Sequence, residues 1–534
     1  SLNQINLTLA QQHQIYLFME MINLSRRLLD QPKRAKVRLQ LALVISIPLV
    51  TQAEETKIPR SYERFEILAA GGEKDSRDPA WAPSKGIPME VSGMEWIEDK
   101  LAVCIRKGEI WMLENPLSTD RNKINFKLFA SGLHEPLGLL KDGKDLLVAQ
   151  RGEVTRLRDS NNNGEADAYL TECDGWNVSG NYHAYAYGPA RDGNGNLWVS
   201  LNLGMGKLAN NHIGWRGWAG TIGKDGSFQP KALGMRSPSG MGANLKGDLF
   251  FSDQQGTWIP ATPIYHLRPG VFYGNQESLA SLKSPEAPFE MKVIPKPNQD
   301  YGEALTSSER FVPPAVWLPY NKMGRSATDV QLIDQDGKFG PFDGQFLIGE
   351  FTNSAVNRVF LEQVDGQYQG ACFPFLNHFP AAVLRLQFAP DGSLFVGMSN
   401  RGWSSLGNRS YGLQRITFNQ KTPFAIKEMK AQPEGFELVF TEPLHPDSLT
   451  LESFKVSSFT YQYSSRYGGD EINPARHKIS GIKTSMGGRS VRFKVENLRT
   501  NYVFELTTQG LRSKLGQRLK YPQAWYTLNR IPDK

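Results

Sequence analysis

Residues 180–201 read GNYHAYAYGPARDGNGNLWVSL, and the fold follows from how this stretch is parsed. A polar entry, Asn181-Tyr182-His183, precedes the run Ala184-Tyr185-Ala186-Tyr187. A Gly/Pro/Asp/Asn turn from Gly188 to Asn196 then leads into Leu197-Trp198-Val199. Aromatic and β-branched residues favour strands, and Asp-Gly and Asn-Gly favour tight reversals. The stretch therefore predicts a β-hairpin with a histidine at its entry.

Working outward, five other segments repeat this plan of small or polar entry, strand, turn and strand. Ser92-Gly93-Met94-Glu95-Trp96 runs into Leu101-Ala102-Val103, and Glu135-Pro136-Leu137-Gly138 into Leu146-Leu147-Val148. After the His183 hairpin, Arg236-Ser237-Pro238-Ser239-Gly240 runs into Leu249-Phe250-Phe251, and Arg325-Ser326-Ala327-Thr328 into Phe346-Leu347-Ile348. Last, Leu384-Arg385-Leu386 passes Pro390-Asp391-Gly392 into Leu394-Phe395-Val396. Short strands recurring at this spacing are the signature of propeller blades, whose twisted sheets bury their faces by stacking radially. The reading is an all-β chain, with a six-bladed β-propeller over residues 54–418. Residues 272–319 are a Pro-rich excursion from one face. From residue 419 the pattern changes to alternating runs such as Ser490-Val491-Arg492-Phe493-Lys494-Val495. That predicts a small immunoglobulin-like β-sandwich over 419–534, expected to be a passive module.

Composition narrows the function. The 534-residue chain carries a formal charge of +7, but residues 1–53 hold six Lys/Arg against two acids, so the remainder is close to +3. Nothing there points to nucleic acid. The order of residues 26–53, a basic stretch, an apolar run at 39–50 and small residues up to Ala53, predicts a secretory signal peptide. Met21 is then a candidate start, with residues 1–20 an upstream extension. The expected location is periplasmic or secreted, with no membrane span in the mature chain. The three cysteines, Cys104, Cys173 and Cys372, form no CxxC or CxxCH pattern. That excludes a covalent c-type haem and argues for small buried side chains.

Two segments could carry chemistry. Asp159, Asn161, Asn163, Glu165 and Asp167 alternate through a loop containing Gly164, a spacing that can wrap oxygens around Ca²⁺, with Glu165 giving its carbonyl. The position where an EF-hand needs Glu is Leu170, and a plain Asn/Asp/Gly turn is the competing reading. His183 is a candidate general base. In a propeller the blade entries gather at one channel mouth, so Glu135, His183, Arg236 and Arg325 are expected to converge. A histidine bonded between blades is the alternative. Arg401 beside Trp403 suits stacking on a sugar or planar ligand, or a clasp that closes the ring.

These residues resemble a family. The His183 segment with Gly188-Pro189 and Leu197-Trp198-Val199 is similar to the catalytic-histidine segment of soluble quinoprotein glucose/sorbosone dehydrogenases. Gly234-Met235-Arg236-Ser237-Pro238-Ser239-Gly240 resembles their GxRNPxG segment. Ser252-Asp253-Gln254-Gln255-Gly256 and Ala389-Pro390-Asp391-Gly392 resemble later stretches. Segments such as Asn400-Arg401-Gly402-Trp403 look closer still to secreted propellers labelled membrane-bound dehydrogenases. The resemblance implies a six-bladed propeller using pyrroloquinoline quinone (PQQ) and Ca²⁺. It would oxidise a sugar or alcohol and pass electrons to an external acceptor. It implies His183 as base and Arg236 as cofactor-binding residue, with Gln254 from the matching stretch and Arg325 from the channel mouth as further cofactor-binding candidates. The sequence departs from that pattern in Ser237 for Asn, and in Ala382 and Leu384 where two quinone-contacting arginines stand in the family. A non-catalytic carbohydrate- or protein-binding propeller is the alternative.

Overall fold

The computed structural model describes residues 60–68, 88–206, 211 and 213–533. Alternating strands and Gly-rich turns over this length produce six blades of four antiparallel strands, five of them separate sheets and blade 5 one end of a nine-stranded sheet. Blade 1 is Val91–Ile97, Lys100–Ile105, Glu109–Glu114 and Asn125–Ala130. Blade 2 is Leu139–Asp142, Asp145–Ala149, Val154–Arg158 and Ala168–Cys173. Blade 3 is Ala186–Arg191, Leu197–Leu201, Trp218–Ile222 and Phe228–Leu233. Blade 4 is Gly240–Ala243, Leu249–Ser252, Thr262–His266 and Val316–Leu318. Blade 5 is Ala327–Leu332, Phe346–Glu350, Ala355–Val364 and Gln367–Leu376. Blade 6 is Val383–Phe388, Leu394–Ser399 and Tyr411–Phe418, completed by Tyr62–Leu68 from the start of the described chain.

The first strand of each blade packs on that of the next, and that of blade 6 returns to blade 1, so the ring is closed. The inner strands approach to backbone contact. A Cβ on Gly138 would lie 2.0 Å from the Gly188 carbonyl oxygen, and one on Gly242 2.1 Å from that of Val330. Glycine is required there because the channel leaves no room for a side chain between blades.

Two details differ from the sequence reading. The innermost strand of blade 3 starts at Ala186 and runs through Gly188-Pro189 to Arg191, so the turn begins at Asp192. Proline offers no N–H, and it is accommodated at a bulge between Tyr187 and Ala190. Excursion 272–319 carries structure: a short 3₁₀ segment Gln276–Lys283, a one-turn helix Tyr301–Thr306 and the outer strand of blade 4. The proposed leader at 1–53 lies outside the described residues.

The C-terminal strands form a two-sheet sandwich. One sheet has the order Ile426–Gln432, Gly435–Phe440, Ser490–Val495, Ile479–Thr484. The other has Glu471–His477, Phe454–Tyr463, Tyr502–Thr508, Gln523–Leu528. Their alternating apolar residues meet in one core, where the Phe436 ring lies 5.3 Å from Phe504 and 5.2 Å from Tyr526. Burying each such ring is worth about 1.5–3 kcal/mol. The second sheet does not stop at the sandwich edge. Its last strand pairs with the outer strand of blade 5, Gly370 to Thr527 and Cys372 to Trp525. Arg358 of blade 5, buried between Phe342 and Phe373, donates to the carbonyls of Ile426 and Lys427. Propeller and sandwich therefore form one unit, Ile58–Lys534. All three cysteines are buried and free.

Candidate functional site

In four blades the residue at the end of the second strand, or just after it, reaches back to the blade's own entry. In blade 4, Asp253 accepts the backbone N–H groups of Arg236 (2.7 Å), Ser237 (2.6 Å) and Gln254 (2.7 Å). In blade 5, Glu350 accepts those of Arg325 and Ser326, both at 2.7 Å, and of Asn353. Gln150 receives the His134 N–H in blade 2, and Asn400 that of Ala382 in blade 6, the latter at 2.8 Å. Burial pushes the Asp253 carboxyl up to about 6, against the pull of those N–H groups and Arg236. These clamps fix the backbone of each entry, and in blades 4 and 5 the clamped residues Arg236 and Arg325 line the mouth.

The result is a cavity of about 340 Å³ lined by His183, Arg236, Gln254 and Arg325 together. The expected convergence is thus present for three of the four residues named for it. Glu135 is set behind the wall, bonded to Arg106 (2.8 Å) and Arg151 (2.6 Å). Sequence reasoning missed Arg106, Asn202, Tyr320 and Tyr467, which also line the cavity. Arg106 and Asn202 occupy the same post-strand position as Asp253, a signal readable once the blades are aligned. Among the described residues no Asp or Glu lines the cavity, whereas four arginines do: Arg106, Arg236, Arg325 and Arg401.

The arginines differ in what holds them. Arg106 is paired with Glu135 and also donates to the Tyr185 hydroxyl (3.0 Å). Arg401 pairs with Glu90 at 3.0 Å, and Trp403 stacks on Phe351 at 4.4 Å, so this segment clasps blade 6 to blades 1 and 5 while still facing the cavity. Arg236 is only 5% exposed. Its guanidinium lies against Gly256, where a Cβ would fall 1.9 Å from Nε, and 5.1 Å from the Tyr467 ring. Its one side-chain contact of hydrogen-bond type is a 3.7 Å approach to the Met205 sulfur. Among the described residues it has no carboxylate partner.

His183 is half-buried, with its ring edge-on to Tyr182 (5.3 Å) and Tyr185 (6.5 Å). Its imidazole has no hydrogen-bond partner among the described residues. Burial first, then Arg236, Arg151 and Arg106, hold its pKa below the ordinary 6.5. The ring is therefore neutral at neutral pH and can accept a proton.

Leu384 lines the cavity as an apolar side chain. Arg385 instead turns into the channel, donating to the carbonyls of Leu137 (2.6 Å) and Thr328 (3.3 Å). A bulge between Val383 and Arg385 separates the two directions.

No protein-family profile matches the chain, and no curated protein does. Its fold is similar to solved sugar dehydrogenases. The PQQ-bound aldose sugar dehydrogenase of Streptomyces coelicolor is 14% identical with a TM-score of 0.42, over 67% of this chain and 99% of that one. The PQQ domain of pyranose dehydrogenase from Coprinopsis cinerea, a holo form, is 12% identical with a TM-score of 0.44, over 67% and 96%. The soluble aldose sugar dehydrogenase of Escherichia coli, an apo form, is 12% identical with a TM-score of 0.42, over 67% and 100%.

The loop expected to hold Ca²⁺ lies between the last two strands of blade 2. Its oxygens are turned to its own backbone. Asp159 accepts from Asn163 N–H (3.0 Å) and Gly164 N–H (2.7 Å), Asn161 from Asn163 N–H, Asn163 from Glu165 N–H, and Asp167 from Ser160. Among the described residues no group of three or more His, Cys, Asp or Glu is placed to hold a metal ion. Asp159→Ala should therefore destabilise by about 1 kcal/mol, the scale of a lost side-chain cap, to the same extent with Ca²⁺ and with chelator. A loss of melting temperature confined to Ca²⁺ would instead make the loop a cation site.

Proposed function

We propose that the mouth cavity oxidises a hydroxyl of a sugar or related alcohol, with His183 as the general base. The observation that carries this reading is a half-buried imidazole, its pKa held below the ordinary 6.5, in a cavity lined among the described residues by four arginines and no carboxylate. A neutral base can take the hydroxyl proton, and the cationic wall favours the oxyanion that the loss of that proton creates.

The wall also fits an anionic quinone of the PQQ type. Buried polar atoms of cavity residues, Arg106 Nε, Asn202 Oδ1 and Ser326 Oγ, have no partner among the described residues. Arg236 lies in its Gly256 cradle, and its guanidinium makes no direct ion pair among the described residues. Arg236, Gln254 and Arg106 are the residues that would hold such a group. When bound, it would accept the hydride from the alcohol carbon and pass electrons to an external acceptor.

Leu384 and Ala382, standing where the family has arginines, favour a second reading: a propeller that binds carbohydrate without redox chemistry. The two separate in one experiment. Purified protein is mixed with PQQ and Ca²⁺, its absorption spectrum recorded, and reduction of a dye acceptor followed as sugars are added. A protein-dependent spectral change with sugar-dependent dye bleaching is expected. Sugar binding with neither signal would establish the binding propeller.

A further inference from the structure

We infer that the C-terminal sandwich builds the outer half of this cavity, and that the half it builds is a subsite for a sugar ring bearing a carboxylate. Two pieces of the wall depend on the sandwich. The first is its own loop, residues 464–470, which carries Tyr467 to the mouth. Thr257 and Tyr467 form a β-bridge, Gly468 N–H donates to the Gly256 carbonyl (2.9 Å), and Gly469 N–H to that of Pro260 (2.9 Å). The loop can lie this flat only because it carries two glycines. A Cβ on Gly468 would meet the Gln255 side chain at 2.7 Å, and one on Gly469 the Pro260 ring at 2.7 Å. Gly468 also has φ +70°, a conformation few other residues hold.

The second piece is the link from blade 4 to blade 5, residues 319–325, which carries Tyr320 and Arg325. Lys322 in this link is gripped by two sandwich carboxylates, Glu471 (2.9 Å) and Glu505 (2.7 Å), and lies 4.6 Å from the Phe459 ring. The sandwich thus fixes Tyr320 and Arg325 from outside the propeller.

What these pieces present is specific. Tyr467 is 66% exposed while one face meets Arg236, so a large part of its ring is free for a ligand. Tyr320 is exposed and lies 5.4 Å from the Arg325 guanidinium. Arg325 is itself exposed, its Nε bonded to Asn321 (2.8 Å) and its Nη groups without an acceptor among the described residues. The nearby Glu350 is occupied by backbone N–H groups. An aromatic face beside an unpaired guanidinium recognises a ring whose C–H face stacks and whose carboxylate takes the paired N–H donors. A uronate has both features. A neutral hexose leaves Arg325 unanswered.

The inference shares only the sugar with the preceding proposal and needs neither quinone nor turnover. It is tested by calorimetric titration, without PQQ, of glucuronate, galacturonate and mannuronate, each beside its neutral hexose. At least one uronate should bind about tenfold or more tightly than its hexose, with the difference shrinking as salt rises. Arg325→Gln should remove that preference. Tyr467→Ala should weaken uronate binding about tenfold, and Tyr467→Phe should leave it within about twofold, the range in which a stacking contact acts. Both side chains are exposed, so these variants should melt with the parent. Uronates bound no better than hexoses, or a Tyr467→Ala variant that binds like the parent, would overturn the inference. Dye reduction run in parallel keeps the two proposals apart. Uronate binding without dye reduction removes the oxidation reading alone. Sugar-driven reduction untouched by Tyr467→Ala and Arg325→Gln removes this one alone.

Discussion

His183→Ala is expected to lower sugar-dependent dye reduction by about 10²–10⁴-fold, the usual contribution of a positioned general base. Binding of the quinone should stay within a few-fold of the parent, because the arginines, not the imidazole, would hold its anionic groups. The pH profile should carry the same signature. The imidazole works only when neutral, and its pKa is held below 6.5. Activity should therefore be flat through neutral pH and fall only as pH drops below that value. An acid limb centred above 6.5, or a variant retaining a tenth or more of the parent's turnover, would remove His183 from the base role. The measurement is kcat/KM against pH for parent and variant at saturating quinone.

The parts of the molecule that repeat could be read from the chain, and the parts that do not repeat could not. Blade entries are marked by polar or small residues before a strand and by a Gly/Asp/Asn turn after it. The six-fold ring and the meeting of His183, Arg236 and Arg325 at one mouth followed from that alone. Turn positions were legible to within a few residues. The error at Gly188-Pro189 came from reading a proline as the end of a strand when a bulge absorbs it. Contacts set by sequence separations of hundreds of residues were invisible. The strand Tyr62–Leu68 that completes blade 6 lies about 350 residues before its partner, Tyr411–Phe418. Tyr467 reaches the mouth only because the sandwich is hydrogen-bonded onto blade 5 and excursion 272–319. Nothing local marks Tyr467 as a site residue. The Asn/Asp loop at 159–167 shows the opposite limit. Its composition is that of a cation loop and also that of a turn whose side chains cap its own N–H groups, and only the direction of the oxygens separates the two.

Arg236→Ala should weaken binding of PQQ, or of a simpler carboxylated anion at the same wall, by about 10–150-fold, the range for losing a hydrogen bond to a charged group. The argument is geometric. Arg236 is buried, lies against Gly256 and Tyr467, and has no carboxylate of its own among the described residues. A ligand anion would give that guanidinium a direct ion pair. Removing the side chain could also loosen the wall, and Gly256→Ala separates these effects. Gly256 is not among the glycines with positive φ, so alanine suits its backbone. The new Cβ would fall 1.9 Å from Arg236 Nε and force the guanidinium out of its cradle while the residue stays. Gly256→Ala should therefore lose anion affinity in the same direction as Arg236→Ala while keeping a cooperative melt. A second readout is independent of any ligand. After burial, Arg236 is the largest influence holding the His183 pKa down. In an NMR titration of the histidine ring, Arg236→Ala should move that pKa up towards 6.5, and Gly256→Ala should move it part of the way. A His183 pKa unchanged in both variants would show that guanidinium and imidazole do not share one electrostatic environment. The acid–base pairing proposed for the cavity would then fail, whatever the protein binds.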